Sequence, residues 1–241
     1  MNTSSTLSTF WKDNRLYIFC FMTVWLYGCY LLAFEFPKGD AILWFSNHRS
    51  EELNYFFRFG SYAGEGYVYL MAVIALLFVQ YAKSIAIVLN SFLVLVSSVS
   101  LKALFKHHRP KRYFDEIINQ PDLVSYVPDV VVLDGYSSSF PSGHTTSGFA
   151  FYTLLAFFIP NKYVKLVCLA AALLVGISRI YLVQHFLKDV LAGSMLGFLV
   201  AMFTYWLTTK FEHRFDGKYI RKKRREILAA QVLDESQDTK K

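Results

Sequence analysis

The sequence predicts an all-α integral membrane protein: a bundle of six transmembrane helices with a short interfacial helix in the first outer loop. Three observations carry that expectation. Of the 241 residues 54% are hydrophobic and 18% aromatic, with a mean hydropathy of +0.32. Only 18% are charged, against about 25% in an average soluble domain. The apolar residues also fall into long runs, which follow one another too closely to build separate soluble cores.

Each element follows from its own stretch. Residues 1 to 15 are polar and rich in Ser and Thr, with Lys12 and Arg15 near their end, and read as a cytoplasmic N-terminal segment. Leu16 to Phe34 holds no charge over 19 residues, enough to cross about 30 Å of hydrocarbon as a helix. No small-residue cleavage site follows it, so an uncleaved anchor is expected. In residues 37 to 65 the stretch "SEELNYFFRFG" places Leu53, Phe56 and Phe57 at i, i+3, i+4 spacing, the pattern of a helix lying in the interface. Asp40, His48, Arg49, Glu51, Glu52, Arg58 and Glu65 would form its solvated face.

From Tyr67 to Leu101 the only charge is Lys83. That run is too long for one span, so a tight turn near Lys83 should divide it in two. Residues 103 to 141 carry Pro110, Pro121, Pro128 and Pro141, a loop composition. Gly143 to Ile159 makes a fourth span, closed by Pro160, Asn161 and Lys162. Val164 to about Leu182 makes a fifth, with Lys165 expected to snorkel from one end. Phe186 to Leu207 makes the sixth. The membrane domain thus covers residues 16 to 208, and residues 209 to 241 form a basic cytoplasmic tail.

Six spans put both termini on one side. That side holds 15 of the 25 Lys and Arg residues, including the run Arg221 to Arg225, and basic residues mark the cytoplasm. The net charge of +7 is therefore read as topogenic, with no nucleic-acid partner, although it suits anionic headgroups. Cys20, Cys29 and Cys168 lie within apolar runs and read as small buried hydrophobes.

Three polar clusters share the outer face: Lys102 and Arg109 after span three, Ser142 and His144 at the start of span four, and Arg179, His185, Lys188 and Asp189 between spans five and six. Singly, each has a plain structural use. Lys102 and Arg109 can anchor a helix end, Ser142 can cap span four, His144 can sit satisfied at the interface, and His185 with Asp189 can be a hydrogen-bonded i, i+4 pair. Together they describe an oxyanion site with a nucleophile. Lys102, Arg109 and Arg179 can surround a phosphate. The helix N-terminus after Pro141 favours anions, and Gly143 lets backbone approach closely. Asp189 can orient His185. A continuous helix would point Arg179 and His185 about 120° apart, so a break between them is expected. His144, His185 and Asp189 are all possible metal ligands, but three nearby cations repel a metal ion and attract phosphate, and no HExxH or Cys cluster is present.

These residues resemble the signatures of the type 2 phosphatidic acid phosphatase family, in its membrane-bound lipid phosphate phosphatase branch. Lys102, six residues, then Arg109-Pro110 is similar to the first signature, Pro141 to His144 to the second, and Ser178-Arg179, five residues, His185, three residues, Asp189 to the third. The resemblance implies that His185 attacks phosphorus to form a phosphohistidine, that Asp189 orients it, and that His144 protonates the leaving oxygen and then activates water. It implies that Lys102, Arg109, Ser142, Gly143 and Arg179 hold the phosphoryl oxygens, without metal or other cofactor. The expected substrate is a membrane lipid phosphate or diphosphate: phosphatidic acid, phosphatidylglycerol phosphate, undecaprenyl pyrophosphate or lipid A phosphate. The expected setting is a bacterial inner membrane with the site facing the periplasm or exterior, and no obligatory protein partner is inferred. A phosphotransferase using the same phosphohistidine is the alternative, and a transporter or binding protein a more distant one. Lys106, His107, His108, Lys111 and Arg112 match no signature; an anionic headgroup or diphosphate and a solvated interfacial face both remain open for them.

Overall fold

The computed structural model describes residues 3–77, 80–132 and 138–210. Its long helices are α1 (Thr3–Tyr30, continued by a π-turn Leu31–Glu35), α2 (Asp40–Asn47), α3 (Glu51–Tyr62), α4 (Gly66–Leu77) and α5 (Tyr81–Leu104). After a short turn α6 (Pro110–Arg112) come α7 (Gly143–Phe158) and α8 (Lys162–Tyr181), then α9 (Leu187–Lys210). Among the described residues the fold is all-helical. Four helices, Thr9–Glu35, α5, α8 and α9, are long and apolar enough to cross a membrane. A fifth crossing is available if α3 and α4, bent by 54°, act together.

The six expected runs fall on α1, α4, α5, α7, α8 and α9, with the break between α4 and α5 lying just before Lys83. The 16 residues of α7 reach only about 24 Å at 1.5 Å per residue. This helix is wrapped by protein: Phe149, Ala150, Phe151, Leu154, Ala156 and Phe157 are all buried. Tyr17 and Phe21 of α1 join Phe149 and Phe157 in the main core, with Phe21 stacked on Phe198 at 4.3 Å. Tyr17 Oη and Thr153 Oγ1 share a hydrogen bond of 2.7 Å.

The contact between α7 and α9 runs over Gly193 and Gly197, a small-xxx-small pair of the kind that lets membrane helices touch backbone to backbone. A Cβ at Gly197 would stand 2.5 Å from the Thr146 carbonyl oxygen, and one at Gly193 2.8 Å from that of Ser142. Both glycines therefore set the depth at which the start of α7 meets α9.

Several local expectations change. Lys165 does not snorkel: it is 3% exposed and donates to Asn14 Oδ1 of α1. A buried ammonium needs such a partner. Lys12 and Arg15 lie on α1, because that helix begins at Thr3 rather than near Leu16. A helix does form over "EELNYFFRFGSY", capped by Ser50 Oγ, which accepts from the Leu53 N–H at 3.2 Å. Its buried face is Phe57, Gly60 and Ser61, while Leu53 and Phe56 point outward. The reason is packing against α8, where Phe57 stacks on Tyr181 at 4.3 Å. Residues 103 to 132 are more than a loop: Phe114, Val124 and Val127 are buried, and Phe114 and Val124 pack with Ile180, Val183 and Phe186 over one end of the bundle. The basic tail beyond Lys210 lies outside the described residues.

Candidate active site

The break expected between Arg179 and His185 is a helix end of defined geometry. α8 finishes with two closing bonds: the Gln184 N–H donates to the Arg179 carbonyl at 2.9 Å, and the Val183 N–H to that of Ile180 at 3.0 Å. That is a Schellman ending, whose central residue adopts a left-handed backbone and is usually glycine. Here it is Val183, with φ of 58°. The chain then enters α9 within a few residues, carrying His185 back toward Arg179.

Asp189 sits in the first turn of α9 and is fully buried. Its Oδ2 accepts from the Phe186 N–H at 3.0 Å, so the carboxylate closes the start of its own helix as the third residue of a capping box does. The same Oδ2 lies 3.8 Å from His185 Nδ1, too far for a hydrogen bond. Ser139 fills the gap. Its hydroxyl donates to Asp189 Oδ2 at 2.5 Å and stands 3.3 Å from His185 Nδ1. A hydroxyl that donates to a carboxylate can accept from an imidazole N–H. His185 is then protonated at Nδ1 and keeps its Nε2 lone pair free.

His185 lies in the turn between α8 and α9 and is 2% exposed. Burial pushes its pKa down to about 4; Asp189 opposes the shift, while Arg109 and Arg179 reinforce it. The imidazole is therefore neutral near pH 7, the state a nucleophile requires.

The cations come from three other elements. Arg109, ahead of α6, is buried and its Nη1 donates to the Gln184 carbonyl at 3.3 Å. Burial lowers its pKa, with Asp189 opposing. Arg179 Nη1 donates to Ser61 Oγ of α3. A Cβ at Gly143 would lie 3.6 Å from Lys102 Nζ at the end of α5. Ser142 caps α7, its hydroxyl accepting from the Thr145 hydroxyl at 2.8 Å and N–H at 3.4 Å. Its own N–H donates to the Asp189 carbonyl at 3.0 Å, so the capping use is the one its side chain fulfils. Arg179, His185, Lys102 and Arg109 all act electrostatically on His144. The eight predicted residues thus meet at one end of α5, α7, α8 and α9. Lys188 faces away toward His107, at 3.4 Å between Nζ and Nδ1.

Three contributors escaped the sequence. Ser139 lies in a run of three serines that nothing distinguishes by pattern. Ser61 sits on a helix assigned to the interface, and the Gln184 contact is through its carbonyl, to which side-chain chemistry gives no clue. Among the described residues no group of three His, Cys, Asp or Glu side chains stands close enough to hold a metal ion.

Comparison with known proteins agrees with this architecture. Lipid phosphate phosphatase 1 of Arabidopsis thaliana is 35% identical over 137 residues, 47% of this chain and 42% of that protein. Phosphatidylglycerophosphatase B of Bacillus subtilis is 43% identical over 83 residues, 30% of this chain and 41% of that one. The chain therefore matches about two fifths of the length of these relatives. The crystal structure of Aquifex aeolicus LpxE superposes with a TM-score of 0.59 at 28% identity, over 70% of this chain and 96% of that one. The model of the PAP2 superfamily matches residues 80–212. Those residues are more than half of the chain and contain all three clusters of the site; the protein belongs to the PAP2 superfamily.

Proposed function

We propose that this protein is a metal-independent membrane lipid phosphatase acting through a phosphohistidine. The observation that carries the reading is a buried, neutral His185, backed by Ser139 and Asp189, at the helix ends where Lys102, Arg109 and Arg179 converge. His185 Nε2 attacks phosphorus, and the bond from phosphorus to the lipid oxygen breaks. His144, which takes up a proton once the bound phosphate offsets the cations around it, gives that proton to the leaving oxygen. The developing imidazolium keeps its Nδ1 proton, stabilised through Ser139 by the Asp189 carboxylate. Water then attacks the phosphohistidine, yielding a proton to His144; phosphate leaves and His185 is neutral again. The three cations and the start of α7 spread the charge of the transferred group, as phosphoryl transfer requires.

The substrates this reading admits are phosphatidic acid, phosphatidylglycerol phosphate, a prenyl diphosphate and a lipid A phosphate. The names of the relatives, which include lipid phosphate, phosphatidylglycerophosphate and lipid A phosphatases, support that class. The reading also has six spans, both termini in the cytoplasm and the site facing outward in a bacterial inner membrane. The 15 basic residues on the expected inner side support it.

Phosphate release from the detergent-solubilised protein tests the mechanism. Wild type should release phosphate in the presence of EDTA, and His185→Ala should lose at least about a thousandfold in kcat, as removal of a nucleophile does. Undiminished release by His185→Ala, or loss of wild-type activity in EDTA restored by a divalent ion, overturns it. Phosphate appearing on an acceptor lipid instead of in solution would identify transfer rather than hydrolysis.

A further inference from the structure

A second basic cluster lies beside the site, and the phosphoryl-transfer chemistry makes no use of it. A cavity of about 100 Å³ opens between the end of α1 and the start of α9, with Leu32, Pro37, Lys38, Phe186, Leu187 and Lys188 among its walls. Lys38 Nζ stands 4.0 Å from the centre of the Tyr113 ring and 5.5 Å from that of Phe186. These rings hold the ammonium in place by cation–π attraction. Lys188 Nζ lies 3.4 Å from His107 Nδ1. Among the described residues no carboxylate forms an ion pair with Lys38 or Lys188.

Two lysines that share a cavity wall without an ion pair raise the local potential and attract anions. Burial and then Lys188 lower the pKa of both Lys38 and His107, with Asp189 opposing in each case. The cluster is joined to the catalytic residues by the chain itself. Phe186, in the cavity wall, follows His185 directly. The His107 carbonyl accepts from the N–H of Ser139 at 2.9 Å, and its N–H donates to Ser138 Oγ at 3.2 Å. An anion held here would therefore rest next to the group that orients His185. The neighbouring Leu32 and Leu187 put apolar walls beside the charge, as a site at headgroup level requires.

We propose that Lys38, Lys188 and His107 form a second anion subsite, which takes a phosphate-type group while the phosphoryl group under attack lies against His185. The inference rests on the lipid phosphatase reading and extends it to substrate class. The anion has two sources: the second phosphate of a lipid diphosphate substrate, or the headgroup of a neighbouring anionic lipid.

Kinetics in neutral detergent micelles separate them. With a prenyl diphosphate and the matching prenyl monophosphate, Lys38→Ala/Lys188→Ala should raise KM for the diphosphate about tenfold, the equivalent of one lost charged contact, and KM for the monophosphate less than about twofold. That result assigns the subsite to the substrate's own second phosphate. Stimulation of monophosphate turnover by added phosphatidylglycerol, present in wild type and absent from the double variant, assigns it to a neighbouring lipid. Equal behaviour of wild type and variant in both arms overturns the proposal. Single Lys38→Gln and Lys188→Gln proteins replace the double variant if it does not fold. If wild type releases phosphate from neither prenyl lipid, nor from phosphatidic acid, phosphatidylglycerol phosphate or a lipid A phosphate, the phosphatase reading itself fails. The subsite then stands or falls on thermal protection: inorganic pyrophosphate should raise the Tm of wild type more than that of the variant, and equal protection overturns it.

Discussion

Ser139 joins the two halves of the proposed nucleophilic pair, because His185 and Asp189 alone are 3.8 Å apart. With its hydroxyl 2.5 Å from the carboxylate and 3.3 Å from the ring, it selects the tautomer that leaves Nε2 free. Ser139→Ala should lower kcat about ten- to a hundredfold, the scale of a lost orienting partner, with KM little changed and partial recovery in Ser139→Thr. A fall in kcat/KM carried by KM alone would place Ser139 in substrate binding instead. His185 also sets a pH window. Its pKa is depressed from 6.5 to about 4, so the unfolded chain takes up a proton below pH 6.5 that the folded protein refuses until near pH 4. Stability from this group is complete above pH 6.5 and is lost as pH falls toward 4. The measured Tm of wild type should therefore drop across that interval.

At the scale of elements, the α8–α9 turn decides whether there is a site. Leaving α8 through a Schellman ending turns the chain in a few residues, which brings Arg179 on one helix and His185 before the next to the same site. Val183 occupies the left-handed position at φ of 58° while its side chain is buried. A left-handed backbone costs an L-residue about 1–2 kcal/mol, from which glycine is exempt. Both truncations lose the same packing to within a methyl group. Val183→Gly should therefore be at least as stable as Val183→Ala, by about 1 kcal/mol, the reverse of their usual order. Thermal unfolding of the two variants in the same detergent measures this. A glycine variant less stable than the alanine one would show that the turn is not strained.

Over the whole molecule, the end of the bundle that holds the site is built by distant parts of the chain. α3 brings Ser61 to Arg179, α5 brings Lys102, His107 binds the segment of Ser139, and α9 meets α7 backbone to backbone at Gly193 and Gly197. At the opposite end the buried Lys165 ties α8 to Asn14 of α1. The proposed orientation places these two ends on opposite sides of the membrane. A cysteine introduced at exposed Val131, in a protein whose native cysteines are replaced, should react with a membrane-impermeant maleimide added outside intact cells. One at Tyr163, also exposed and near the other end of α8, should react only after lysis. The opposite pattern would invert the topology.

How much of this was written in the sequence varies with the kind of force involved. Hydrophobic burial is registered residue by residue, so the apolar runs marked the helices, and the spacing Lys102 to Arg109, Pro141 to His144 and Arg179 to Asp189 marked the chemistry. Close approach and polar satisfaction depend on what lies opposite, which no local pattern records. Lys165 reads as a snorkelling lysine until Asn14 is seen beside it, and Leu53, Phe56 and Phe57 read as one interfacial stripe until α8 claims Phe57 together with Gly60 and Ser61. Serine 139 and its two neighbours are chemically alike; only the folded chain decides which hydroxyl stands between an imidazole and a carboxylate. The sequence alone determined the apolar helices and marked the groups proposed to react, because both are properties of single side chains. Only the tertiary structure decided the hydrogen-bonded relay, the strained turn and the second basic cavity, because each exists only where distant segments meet.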